Sequence, residues 1–177
     1  MTVPSRGAPL DARLLGIYLN DHLAGATAGA ALARRARAGA RSRDLAAALE
    51  TVAPQIDEDR TTLLGLMRRL GVPVRPYKVA AGRAAELVGR LKPNGRLRER
   101  SPLTDLVELD GLLTGIAGKA ALWRNLRAIA DQPAGPTAAE LDALVARADS
   151  QRAALERVRP AVVREAFLGA PPLSPSS

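Results

Sequence analysis

The chain has 177 residues, long enough for one domain with its own hydrophobic core. Nearly half the residues are apolar, yet aromatics are reduced to Trp123, Tyr18, Tyr77 and Phe167, and no cysteine is present. The formal net charge is +8, carried mostly by arginine. This composition excludes a wholly disordered chain, disulfides, thiolate metal sites and a cysteine nucleophile. No charge-free apolar run reaches the ~18 residues of a membrane-spanning helix. Met1 to Pro9 has no apolar run of signal-peptide length, so a cytoplasmic address is expected.

Ala, Leu and Arg dominate, and they head the helix-propensity scale. The β-branched runs that strands need do not occur. The expectation is an all-α chain with one helical domain over residues 10–168. Flexible Pro/Ser/Gly-rich tails are expected over 1–9 and 169–177.

Taken in chain order, the first helix runs from about Asp11 to Ala38. Asp11 caps it and Gly39 ends it. Its expected stripe is Leu15, Leu19, His22, Ala26, Gly29 and Ala33. The second helix runs from about Asp44 to Leu70. Leu45, Leu49, Val52, Ile56, Asp59, Leu63, Leu66 and Leu70 alternate at spacings of four and three, the pattern of a bundle seam. Asp59 is its one polar member. Pro54 should kink or restart this helix, and Gly71 and Pro73 stop it.

A shorter helix is predicted over 77–91, followed by a basic loop from Arg90 to Arg100. The third long helix opens at Ser101-Pro102, with proline at its first position, and runs to about Ala130. The fourth opens at Thr137 with Glu140 three residues on, a capping box. Its stripe is Leu141, Leu144, Ala148, Gln151, Leu155, Val158 and Val162, and Pro160 should bend its last part. Each long helix has about 26 to 30 residues, on the order of 40 Å at helical rise. Short loops join the first pair and the last pair. About 30 residues separate the pairs, enough to travel the bundle's length. Two antiparallel hairpins joined by one long crossover is ferritin-like connectivity.

Three stretches carry a family resemblance: Tyr18-Leu-Asn-Asp-His-Leu-Ala-Gly25, the run from Ile56-Asp-Glu-Asp to Leu70-Gly71, and Ser101-Pro-Leu through Gly118-Lys-Ala-Ala-Leu-Trp123. Over roughly residues 12–167 the chain resembles the ferritin-like superfamily. It is most similar to a divergent bacterial branch with no assigned activity. Iron-binding members carry a Glu on two helices and Glu-x-x-His on the other two. The resemblance puts those second-helix positions on Ile56 and Asp59, and by weaker analogy the fourth-helix pair on Ala148 and Gln151. Neither Glu-x-x-His is present, and His22 is the only histidine. The implied iron site is therefore lost, and no cofactor is expected.

Three polar residues interrupt the apolar stripes: His22, Asp59 and Gln151. Counted from the helix ends, they fall at similar depths, and so does Lys119, the only charge between Gly111 and Trp123. A lone lysine in an apolar span needs an anion or a route to water. One reading is a core polar layer in which Lys119 pairs with Asp59 while His22 and Gln151 add hydrogen bonds. The ammonium then stands in for the lost metal charge. In a second reading Lys119 reaches water along its stem and His22 is a satisfied core histidine. A third is a non-iron metal or small-ligand site, with Asp21, Glu108 and Asp110 as further oxygen ligands. Asp57 and Glu58 lie off the stripe and read as solvated.

The same topology gathers positive charge at one end. Arg34, Arg35, Arg37, Arg41 and Arg43 fall there, with Arg90, Lys92, Arg96, Arg98 and Arg100 from the crossover and Arg157, Arg159 and Arg164 from the last helix. Acids there are few: Asp44, Glu99, Glu156 and Glu165. This end reads either as an anion-docking patch or as a solvated face whose arginine content follows codon bias. An anionic partner would be nucleic acid, an acidic protein or a membrane surface. No stacking aromatics interleave the arginines, and no helix-turn-helix or zinc motif is present. There is no phosphate loop, no Gly-x-Ser-x-Gly elbow and no triad, so no enzyme is expected. The functional expectation is a non-enzymatic interaction or scaffold protein, with a homodimer as one form. The alternatives are a metal or small ligand in the bundle core, and a DNA- or membrane-associated stress protein.

Overall fold

A computed structural model describes residues 10–76, 101–130 and 135–169. Among them are four helices and no strand: α1 (Ala12–Gly39), α2 (Arg43–Arg69), α3 (Pro102–Arg127) and α4 (Ala138–Leu168). The predicted helix over 77–91, the basic loop and the tails 1–9 and 170–177 lie outside the described residues. No described helix is long and apolar enough to cross a membrane.

Local chemistry sets the helix ends. The Asp11 carboxylate accepts the backbone N–H of Arg13 at 3.0 Å and of Leu14 at 2.9 Å. At α4 the Thr137 hydroxyl accepts from Glu140 N at 3.2 Å, and Glu140 accepts from Thr137 N at 2.7 Å. Both satisfy amides that a helix start leaves open. Gly71 follows α2 with φ of 65°, a conformation that favours glycine. Gly39, expected to end α1, is instead its last helical residue, and Ala40 caps the helix with φ of −59°. Neither proline restarts a helix: α2 continues through Pro54 and α4 through Pro160. Each proline removes one backbone bond, but buried Val52 and Ile56, or Leu155 and Val162, anchor the helix on both sides.

Each helix packs against two others: α1 on α2 and α3, and α4 on α2 and α3. All four contacts are antiparallel. Tyr18 meets Asn125 and Arg35 meets Glu108 across α1 and α3. Arg69 meets Glu140 and Arg147 meets Glu58 across α2 and α4. The end of α2 and the start of α3 thus lie at opposite ends of the bundle, and the chain between Leu70 and Pro102 joins them.

The α2 seam from Leu45 to Leu66 is buried, Asp59 included. On α1 the buried face differs from the expected stripe. It is Leu19, Leu23, Thr27, Ala30 and Ala33, while His22, Ala26 and Gly29 lie on its flank. Ala and Gly differ little in hydrophobicity, so the pattern of α1 defines its inner face poorly.

Two polar clamps secure the ends. Asp105, buried on α3, accepts from Arg41 N at 2.7 Å and Ser42 N at 2.9 Å, tying down the α1–α2 loop. Ser42 makes no side-chain cap of its own, and Asp105 instead holds the two amides that lead into α2. At the other end, the Asn20 amide donates to Gly16 O at 2.8 Å and Pro73 O at 3.0 Å. It also accepts from Arg75 N at 2.7 Å.

Replacing Asp105 by Ala strands the buried Ser42 amide and frees the part-buried Arg41 amide, so urea denaturation is expected to show a loss of about 2 kcal/mol. A pH effect follows from Glu140. The Arg69 guanidinium, with the Thr137 backbone amide, holds the Glu140 carboxyl down at about 2. Its folded pKa lies below the unfolded value of about 4.3. The contribution is therefore present above that value and fades as pH falls toward 2. The gap in Tm between the native chain and Glu140→Gln should shrink over that window.

Candidate functional site

Asp59 on α2 is 3% exposed and Gln151 on α4 is 1% exposed. Lys119 on α3 is partly buried beside them. Its ammonium donates to Asp59 Oδ2 and, at 2.5 Å, to Gln151 Oε1. Gln151 Nε2 donates to Asp59 Oδ2 at 3.1 Å, closing a three-residue ring. Arg147, one turn before Gln151, pairs its Nη2 with Asp59 Oδ1 and its Nη1 with Glu58 at 3.3 Å. One buried carboxylate thus holds two cations and an amide. Burial pushes the Lys119 ammonium below its ordinary pKa, Asp59 opposes this, and Arg147 adds to it.

His22 does not join the ring. It is half-buried on the flank of α1, and its imidazole meets the Tyr18 ring edge-on, centroids 4.5 Å apart. The rotation of the α1 face described above removes it from the layer. Burial lowers its pKa, with Asp21 opposing. Glu108 lies under Arg35 at 2.8 Å and Asp110 under Arg159 at 2.7 Å, so neither reaches Asp59. Among the described residues no three His, Asp or Glu side chains come together as a metal-binding group.

Beside the ring, α1, α2 and α3 border a cavity of about 390 Å³ that opens to solvent past Asp21, Gly25, Gly115 and Gly118. Asp59, Lys119 and His22 line it together with Asp21, Arg60 and Trp123. The rest of the lining is apolar, including Ile56, Leu63, Leu112 and Ile116. Four glycines complete it: Gly25 and Gly29 on α1, Gly115 and Gly118 on α3. A Cβ added at any of them would meet nothing within 4 Å. Trp123 is 1% exposed, and its indole N–H has no hydrogen-bond partner among the described residues. Arg60 donates Nε–H to the Thr27 hydroxyl at 3.2 Å and meets no carboxylate among the described residues.

At the basic end, three arginines of α1 pair with carboxylates of neighbouring helices, Arg34 and Arg37 on the surface and Arg35 part-buried. Arg34 pairs with Asp57 at 2.5 Å, Arg35 with Glu108 at 2.8 Å and Arg37 with Glu50 at 2.6 Å. Arg41 contributes its backbone amide to the Asp105 clamp, and Arg43 is exposed. Arg159 pairs with Asp110 and Glu156. Acids from α2 and α3 therefore reach this end in greater number than the sequence reading counted. Arg90, Lys92, Arg96, Arg98 and Arg100 lie outside the described residues.

Sequence reasoning missed Arg147, Arg60 and Trp123. Arg147 carried a usable signal, since it precedes Gln151 by four residues and so shares its helix face. Arg60 follows Asp59 directly, but nothing in the pattern turned it toward α1. Trp123 entered only as the end of the apolar span that holds Lys119. Comparison of the chain with protein-family models, curated proteins and solved structures gives no significant match.

The ring makes a double-mutant prediction. Asp59→Ala leaves two buried or half-buried cations without their carboxylate and should cost about 3–5 kcal/mol in denaturant unfolding. Adding Lys119→Met, which removes one stranded charge at similar volume, should recover much of that loss. Unfolding of Asp59→Ala at the native temperature would refute the energetic role of the ring.

Proposed function

We propose that this chain is a non-enzymatic, ferritin-like helical bundle that binds a small, mainly apolar molecule in the cavity between α1, α2 and α3. The cavity itself carries the reading. Its volume falls in the range of small-molecule sites, about 300–1,000 Å³, and its lining is apolar with a few polar groups, as such sites have. Glycine in a helix interior costs about 0.5–1 kcal/mol relative to alanine. Four glycines here have no neighbour within 4 Å of an added Cβ, and three of them, Gly25, Gly115 and Gly118, are exposed at the mouth. Their effect is to keep room beside the Asp59–Lys119–Gln151 ring.

The antiparallel pairing and the connection between opposite ends after α2 support the ferritin-like assignment. On that assignment Ile56, Asp59, Ala148 and Gln151 occupy the former Glu-x-x-His positions, and an ammonium replaces the metal charge. Docking of an anionic macromolecule at the basic end receives less support, because Arg34, Arg35 and Arg37 are matched by carboxylates.

Trp123 is the only tryptophan and lines the cavity, so it serves as an energy-transfer donor to a bound dye. The neutral dye N-phenyl-1-naphthylamine should bind saturably at one site. Gly115→Leu should abolish binding without lowering Tm, since its Cβ meets no neighbour and leucine is the better helix former. Gly65→Leu, on a different face, should bind normally. Equal binding by the Gly115 variant would rule out this cavity.

A further inference from the structure

The polar groups around the cavity are not balanced between donors and acceptors. The Trp123 N–H is buried and has no acceptor among the described residues. Lys119 has three N–H donors, of which Asp59 and Gln151 take two. Arg60 gives Nε–H to Thr27 and keeps its terminal N–H groups. The acceptors in the lining are already engaged or sit at the rim. Asp59 is shared between Lys119 and Arg147. Asp21 is exposed and acts on His22. Arg147 stands outside the cavity and is divided between Asp59 and Glu58, so of the cations that line the cavity Arg60 is the one that meets no carboxylate among the described residues.

We infer that the molecule bound in this cavity is an apolar monocarboxylate, its carboxylate taking the spare donors of Lys119 and Arg60 while its hydrocarbon body lies along the apolar lining. This inference rests on the cavity reading above. An apolar body matches Ile56, Leu63, Leu112 and Ile116. A carboxylate is the small group that offers several acceptor sites, pairs with a guanidinium that meets no carboxylate among the described residues, and has no donor to strand. A neutral alcohol satisfies at most part of this set, and a quaternary ammonium satisfies none of it.

The test compares octanoate, 1-octanol and octyltrimethylammonium by calorimetry, with Trp123 emission as a second readout. Octanoate should bind at least about tenfold more tightly than octanol, the equivalent of one charge-assisted hydrogen bond. Octyltrimethylammonium should not bind. Arg60→Gln should reduce octanoate affinity by about tenfold and leave octanol unchanged. Gly115→Leu should remove binding of both. Octanol or the ammonium binding as tightly as octanoate overturns the carboxylate assignment and leaves the cavity reading in place. So does binding of the neutral dye with none of the three amphiphiles. Failure of all three amphiphiles together with the dye removes the cavity reading itself.

Discussion

The Asp59 carboxylate is the point at which three of the four helices are tied together. It sits on α2, receives Lys119 from α3, and receives Gln151 and Arg147 from α4. A bundle built from Leu and Ala has many near-equivalent ways to slide one helix along another, because one leucine packs much like the next. A buried charge does not share that tolerance. Shifting α3 or α4 by one turn would leave Asp59 facing alkyl groups, and an unpaired buried charge is costly. The ring therefore contributes depth and register more than net stability, the role buried polar groups have where packing alone is degenerate.

α1 has no part in that ring, and this explains where the cavity lies. It is secured elsewhere, by the Asp105 and Asn20 clamps at its two ends and by ion pairs from Arg34, Arg35 and Arg37. Held at its ends, α1 can stand away from α3 in the middle. The glycines mark the boundary between the two regimes. At Gly111 an added Cβ would come within 3.0 Å of Leu32, so glycine there permits close approach. At Gly115 and Gly118, one and two turns further on, nothing is within 4 Å. The same residue type thus serves contact at one level and space at the next.

How much of this was legible depended on how strongly each residue discriminates inside from outside. Leucines at spacings of four and three made the α2 seam readable, and Asp59 stood out within it. Lys119 was legible for the opposite reason, as a single charge in an apolar run, and counting from helix ends put it level with Asp59 and Gln151. His22 misled because its neighbours on α1 are Ala, Gly and Thr, whose burial preferences hardly differ. The inner face of α1 was therefore free to rotate from His22–Ala26–Gly29 to Leu23–Thr27–Ala30. The arginines misled because charge was counted helix by helix. Asp57, Glu50 and Glu108 lie far away in sequence and reach the same end only once α2 and α3 are docked.

The charge near the cavity follows from the same geometry. Lys119 and Arg147 share Asp59, and Glu58 takes the other terminal nitrogen of Arg147, so Lys119 rests on a shared carboxylate next to an apolar space. Burial already pushes Lys119 toward its neutral form, and only Asp59 opposes this. A partly buried ammonium on a shared carboxylate can be relieved in two ways: loss of a proton, or arrival of an anion. The first would weaken the contact that sets the register of α3 against α2 and α4. The second keeps the ammonium charged and leaves the ring intact. An anionic guest of the kind proposed would therefore favour a charged Lys119, and the residue that sets the depth of the helices would also select what binds beside it.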